Sequence, residues 1–97
     1  MSDKFKTDPL KFVLNAAYRH AMDPQQKGMQ RHGADVPFRD QISPAITRIV
    51  GIGYPLGQAI KKEDEAKRLD REKAVHELLG AINYLAIAII ELMEQRP

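Results

Sequence analysis
Four cationic side chains, Arg31, His32, Arg39 and Arg48, fall in a stretch that offers them few acidic partners at helical spacing. Arginine presents a planar fork that makes two parallel charge-assisted bonds to a phosphate, so these residue types suit a compact phosphate-bearing ligand. Residues 31–40 mix charged side chains with a histidine, an aromatic and a proline, which fits a site better than a core; a solvated loop is the competing reading. Three polar positions of the otherwise apolar last helix, Glu77, Asn83 and Tyr84, complete the candidate ligand-binding set. A buried amide must find partners, so Asn83 bonds within the core, fixes the register of an interface or faces the ligand.

Other chemistries find less support. The chain has no cysteine, which removes thiolate catalysis, disulfides and cysteine-based zinc sites, and His20, His32 and His76 lack the paired four-residue spacing of a helical zinc site. Ser43-Pro44 reads as a helix start rather than a nucleophile. Gly51-Ile-Gly-Tyr-Pro-Leu-Gly57 lacks the preceding strand of a dinucleotide fingerprint. A magnesium cage needs several carboxylates; residues 9–22 contain none, and the last helix offers Glu72, Glu77 and Glu91. No catalytic residue and no metal ligand is therefore assigned.

The elements that must position these residues are helical. Asp8-Pro9 supplies a cap followed by proline at the first helical position, and Asp23-Pro24 ends the same element, so a first helix is expected over 9–22, after a flexible polar lead over 1–7. It should bury Leu10, Val13, Leu14, Ala17 and Ala21. After the loop at 31–40, the positions Ile42, Ile46, Ile49, Leu56 and Ile60 form a helical stripe over 41–62. Glycines and Pro55 in its middle predict a kink or tight break near Gly53. The charge run 61–73 reads as a solvated surface. A C-terminal helix over 66–95 carries Leu69, Val75, Leu78, Leu79, Ile82, Leu85, Ile89, Leu92 and Met93 at mostly three- and four-residue steps on one face and Ala81, Ala86, Ile87, Ala88 and Ile90 on the other. A helix apolar all round is buried rather than half wet. In a chain of 97 residues few elements exist to cover it, so a second subunit is expected to cover part. As a membrane span the run falls short of roughly 18 consecutive apolar residues and is interrupted by Asn83 and Glu91.

The fold class expected is all-α: a small single-domain helical bundle with a buried C-terminal helix, assembled as a homo-oligomer. Net charge is +2, with +3 on residues 1–48 and −1 on the remainder. The excess is spread out rather than clustered, which argues against a duplex nucleic acid partner. No apolar leader opens the sequence, so a cytoplasmic location is expected.

Arg39-Asp-Gln-Ile42, Ala45-Ile-Thr-Arg48-Ile49 and Glu77-Leu-Leu-Gly80-Ala-Ile-Asn83-Tyr84 together resemble a small helical nucleotide-modification-associated domain common in phage genomes, itself similar to the MazG-like nucleotide pyrophosphohydrolases. The resemblance covers roughly residues 31–93 and implies a MazG-like helical oligomer that handles nucleotides. MazG-like enzymes hold their metal with a Glu-rich motif on one helix and Glu-x-x-Asp on the next. Here Glu77 matches, Gly80 stands in place of the Asp, and the first motif has no counterpart. The resemblance thus implies non-catalytic binding of a nucleotide or nucleotide-derived signal, such as a phage protein that sequesters a host immune signalling nucleotide, without a cofactor. Two alternatives stand beside it: a divergent magnesium-dependent nucleoside triphosphate pyrophosphohydrolase with carboxylates from two subunits, and a helical protein–protein adaptor.

Overall fold
In a computed structural model, residues 3–22 and 37–95 are described. Arg31 and His32, and most of the expected loop at 31–40, lie outside them. The described residues form five α-helices and one short 3₁₀ turn, with no strand among them: α1 (Asp3–Thr7), α2 (Pro9–Met22), the turn Phe38–Asp40, α3 (Ile42–Val50), α4 (Gly53–Ala66) and α5 (Arg71–Glu94). The all-α class follows from the sequence periodicity and is observed.

The start signals at Asp8 and Asp70 work as their chemistry requires. Asp8 Oδ1 accepts from the Lys11 amide at 3.1 Å, and Asp70 Oδ1 accepts from the Lys73 amide at 3.0 Å, each satisfying a donor that the first helical turn leaves open. Asp70 places the start of α5 at Arg71, five residues later than the sequence expectation, because α4 runs on to Ala66 and a four-residue turn intervenes. The polar lead is not extended: residues 3–7 form α1, held to α2 by an edge-to-face pair between Phe5 and Phe12 with ring centres 5.5 Å apart.

The break in the 41–62 segment falls at Gly51, two residues before the expected position. Gly51 has φ of 96°, which glycine adopts without the steric cost other residues meet, and its amide closes α3 on the Thr47 carbonyl at 2.8 Å. Pro55 does not break anything. It sits in the first turn of α4, where the backbone amide has no helical partner to lose.

α4 and α5 form an antiparallel hairpin, and α2 and α3 pack on α5 beside α4. The core so made is small. Ala17, Ala21, Ala59, Ala81, Ala88 and Ile87 are its buried apolar side chains. Several expectations about burial are corrected here. Leu10 and Leu14 of α2 are exposed while Ala17 and Ala21 are buried, and Ile42, Ile49, Leu56 and Ile60 are exposed while Pro44, Thr47, Pro55 and Ala59 face inward. In α5, part of which a second subunit is expected to cover and which is therefore not among these corrections, the side chains buried within the protomer are Gly80, Ala81, Asn83, Ile87 and Ala88, whereas Leu78, Leu85, Ile89 and Leu92 are exposed. The physical reason is closeness: helices that meet through glycine and alanine bring their backbones together, and long side chains are turned out of such contacts. By length and composition α5 is long and apolar enough to cross a membrane, which the run of consecutive apolar residues is not.

Candidate functional site
The expected ligand residues occupy separate places. Arg39 and Arg48 are neighbours: the Arg48 guanidinium donates to the Arg39 backbone carbonyl at 2.6 Å, and the Arg39 guanidinium pairs with the Glu94 carboxylate. That hydrogen bond and the charge of Glu94 raise the Arg39 pKa above its ordinary value. Glu91 lines the same corner. The hollow between them holds about 10 Å³, the size of one water, and in this arrangement offers no room for a nucleotide.

Tyr84 lies elsewhere, edge-on to Tyr54 at 6.2 Å, with the Ser43 hydroxyl 3.4 Å from the Tyr54 hydroxyl and 3.5 Å from that of Tyr84. Asn83 takes the internal role among those open to it. Its amide nitrogen donates to the Ala17 carbonyl at 2.8 Å, tying α5 to α2 across a buried contact. Glu77 is paired with Lys62 of α4 at 3.2 Å. Gly80 explains how Lys62 reaches it: a Cβ at that position would stand 3.0 Å from the lysine's Cδ and Cε, so the lysine stem passes over the glycine.

Next to this pair stands a histidine the sequence reading passed over. His20 is 3% exposed, its ring lies 4.4 Å from that of His76, and its Nδ1 has no hydrogen-bond partner among the described residues. Burial, then the neighbouring His76 and Lys62, lowers its pKa from 6.5 to about 4 against a smaller opposing pull from Glu77. The imidazole is therefore neutral at pH 7. The described residues contain no group of three or more His, Asp or Glu arranged to hold a metal ion.

A second place missed in the sequence is an open groove along α1 and α2. Lys4, Lys11 and Arg19 line it together with Asn15, Thr7 and Phe12, and it encloses about 610 Å³. One acid, Asp8, also lines it, but that carboxylate faces the start of α2 and accepts the Lys11 amide. The groove thus combines three cations, amide and hydroxyl groups and one aromatic ring. The signal was present as spacing: positions 4, 8, 11, 15 and 19 recur at three- and four-residue steps on the polar face of consecutive helices.

The chain matches no protein-family profile, no characterised protein and no solved structure.

Proposed function
We propose that this chain is a non-catalytic, self-assembling helical protein that binds a nucleotide or nucleotide-derived signal in the groove of α1 and α2. The observation that carries the reading is the grouping of Lys4, Lys11 and Arg19 with Phe12 around a hollow of about 610 Å³, within the roughly 300–1,000 Å³ range of small-molecule sites. Lysine and arginine supply charge-assisted donors to phosphate oxygens, and an aromatic ring offers a surface on which a base stacks. The resemblance to MazG-like and phage nucleotide-associated domains supplies the ligand class, and sequestration of an immune signalling nucleotide in the host cytoplasm is the biological role it suggests. Assembly as a homo-oligomer is part of the proposal, supported by the many large apolar side chains the protomer leaves exposed.

The test is calorimetry of the full chain against a panel of linear and cyclic nucleotides, with magnesium-containing parallel samples read by mass spectrometry. Binding without turnover is expected, and Lys11→Glu with Arg19→Glu should abolish it. Loss of one charge-assisted contact costs about 1.5–3 kcal/mol, or more than about tenfold in affinity. If Arg39→Ala and Arg48→Ala weaken binding while the groove variants do not, the site moves to the corner of α3. Turnover would establish the pyrophosphohydrolase alternative, and absence of binding across the panel would leave the adaptor reading.

A further inference from the structure
We propose that the outer face of α5 is a seam that packs against the same seam of a second copy of this chain. It rests on the proposed assembly, not on the ligand. Val75, Leu78, Ile82, Leu85, Ile89 and Leu92 follow one another at steps of three, four, three, four and three residues. This is the alternation that places side chains along one stripe facing a partner helix. The residue types are sorted as well. Val75, Ile82 and Ile89 occupy one set of positions and Leu78, Leu85 and Leu92 the other, the division between β-branched side chains and leucine found where two helices interlock.

The protomer leaves this stripe uncovered. Five of the six side chains are between 42% and 56% exposed, and Ile82 is half-buried. The face that α5 turns to its own chain, through Gly80, Ala81, Asn83, Ile87 and Ala88, lies on the opposite side of the helix. Among the described residues the seam is thus exposed at every position but Ile82. At 1.5 Å per residue it runs roughly 26 Å, from one turn inside the start of α5 to its last turn.

The pattern selects the occupant. Knobs spaced in this way need holes spaced in the same way, and a second α5 supplies that spacing in the same residues. A lipid surface fits less well, because α5 bears Arg71 and Lys73 against Glu72, Glu77, Glu91 and Glu94, an acidic balance that anionic headgroups repel. Crossing a bilayer would also require the Asn83 amide to leave the Ala17 carbonyl and Glu77 to leave Lys62.

Sedimentation equilibrium on the full chain tests the seam, with circular dichroism to follow folding. The unmodified protein is expected to sediment as a multiple of its 11.0 kDa chain mass. Leu85→Glu is expected to weaken association at least about a hundredfold while helical content is retained, because the charge is buried only in the assembly. Leu78→Asn, a milder change nearer the end of the seam, gives the same answer should Leu85→Glu fail to fold. Ile49→Glu, on an exposed site of α3, is expected to leave the mass unchanged. An unmodified monomer would remove the assembly reading and the seam together. An oligomer indifferent to both seam variants, or one dissociated by Ile49→Glu instead, would remove the seam alone. Flotation of the unmodified chain with phosphatidylcholine–phosphatidylglycerol vesicles, lost in Leu85→Glu, would overturn it in favour of a lipid cover. The samples contain no nucleotide, so these results stand apart from those of the ligand panel.

Discussion

The two faces of α5 solve different problems with different residues. The inner face is built from Gly80, Ala81, Asn83, Ile87 and Ala88, and it gives α2, α3 and α4 a close approach together with one directional bond from Asn83 to Ala17. The outer face is built from leucine, isoleucine and valine, and makes none of these contacts a requirement of the protomer. Small side chains bring backbones near but bury little, at about 0.8 kcal/mol per methylene-sized group. The protomer's fold is therefore specified mainly by fit and by hydrogen bonding, while the larger store of apolar area remains on its surface.

Moving a charge from one face of α5 to the other separates their roles most directly. Ile87→Asp places a carboxylate inside the protomer, where Ile87 is 2% exposed, and should cost about 4 kcal/mol or more, a large share of the roughly 5–15 kcal/mol that holds a domain together. Loss of the cooperative thermal transition in circular dichroism is the expected result. Leu85→Glu, two residues earlier on the outer face, should keep that transition. If both variants unfold alike, the two faces do not differ in the way described.

His20 sharpens the account of the inner face through pH. Its folded pKa of about 4 lies below the ordinary 6.5, so above pH 6.5 both states are neutral and nothing is lost. As pH falls from 6.5 towards 4, the unfolded chain takes up a proton that the buried ring refuses. Stability should decline over that window by about 3 kcal/mol. Urea unfolding at pH 7.5, 5.5 and 4.5 checks this, with His20→Gln as the reference that removes the imidazole while carboxylate titrations remain. Equal pH dependence in the two proteins would show that His20 is not a buried neutral group.

A smaller effect is expected from Asn83→Ala. It removes the bond to the Ala17 carbonyl and leaves a gap where α2 meets α5, costing about 1–3 kcal/mol in chemical denaturation. Cost below about 0.5 kcal/mol would mean that shape, and not the amide, sets the register of the two helices.

What was readable in the sequence divides along the same lines. Caps and prolines act locally, so Pro9–Met22 could be placed to the residue, and the all-α class followed from periodicity alone. Burial was read less well because periodicity shows that two faces of α5 are apolar without showing which of them the chain itself covers. The structure gives the protomer's own contacts to the glycine and alanine face and leaves the leucine stripe exposed. The break was expected near Gly53 because Pro55 drew attention to it, but proline is harmless in a first turn and the positive φ of Gly51 makes the corner. Among the candidate site residues, Arg39 and Arg48 could be grouped from the sequence, while the pairing of Arg39 with Glu94 depends on a contact between distant elements. The groove cations Lys4, Lys11 and Arg19 were legible as a polar helical face and were passed over for want of a motif.

The bond between Asn83 and Ala17 also sets an order of events during synthesis. Its donor is made 66 residues after its acceptor. At roughly 5–20 residues per second, α2 leaves the ribosome some seconds before the residue that anchors it. An isolated helix of 14 residues is near the roughly 12–15 at which helices in water are marginal, so α2 spends that interval with α1 alone packed against it. Residues 1–48 carry a net +3 against −1 for the remainder, so unfinished chains of that half repel one another during the interval.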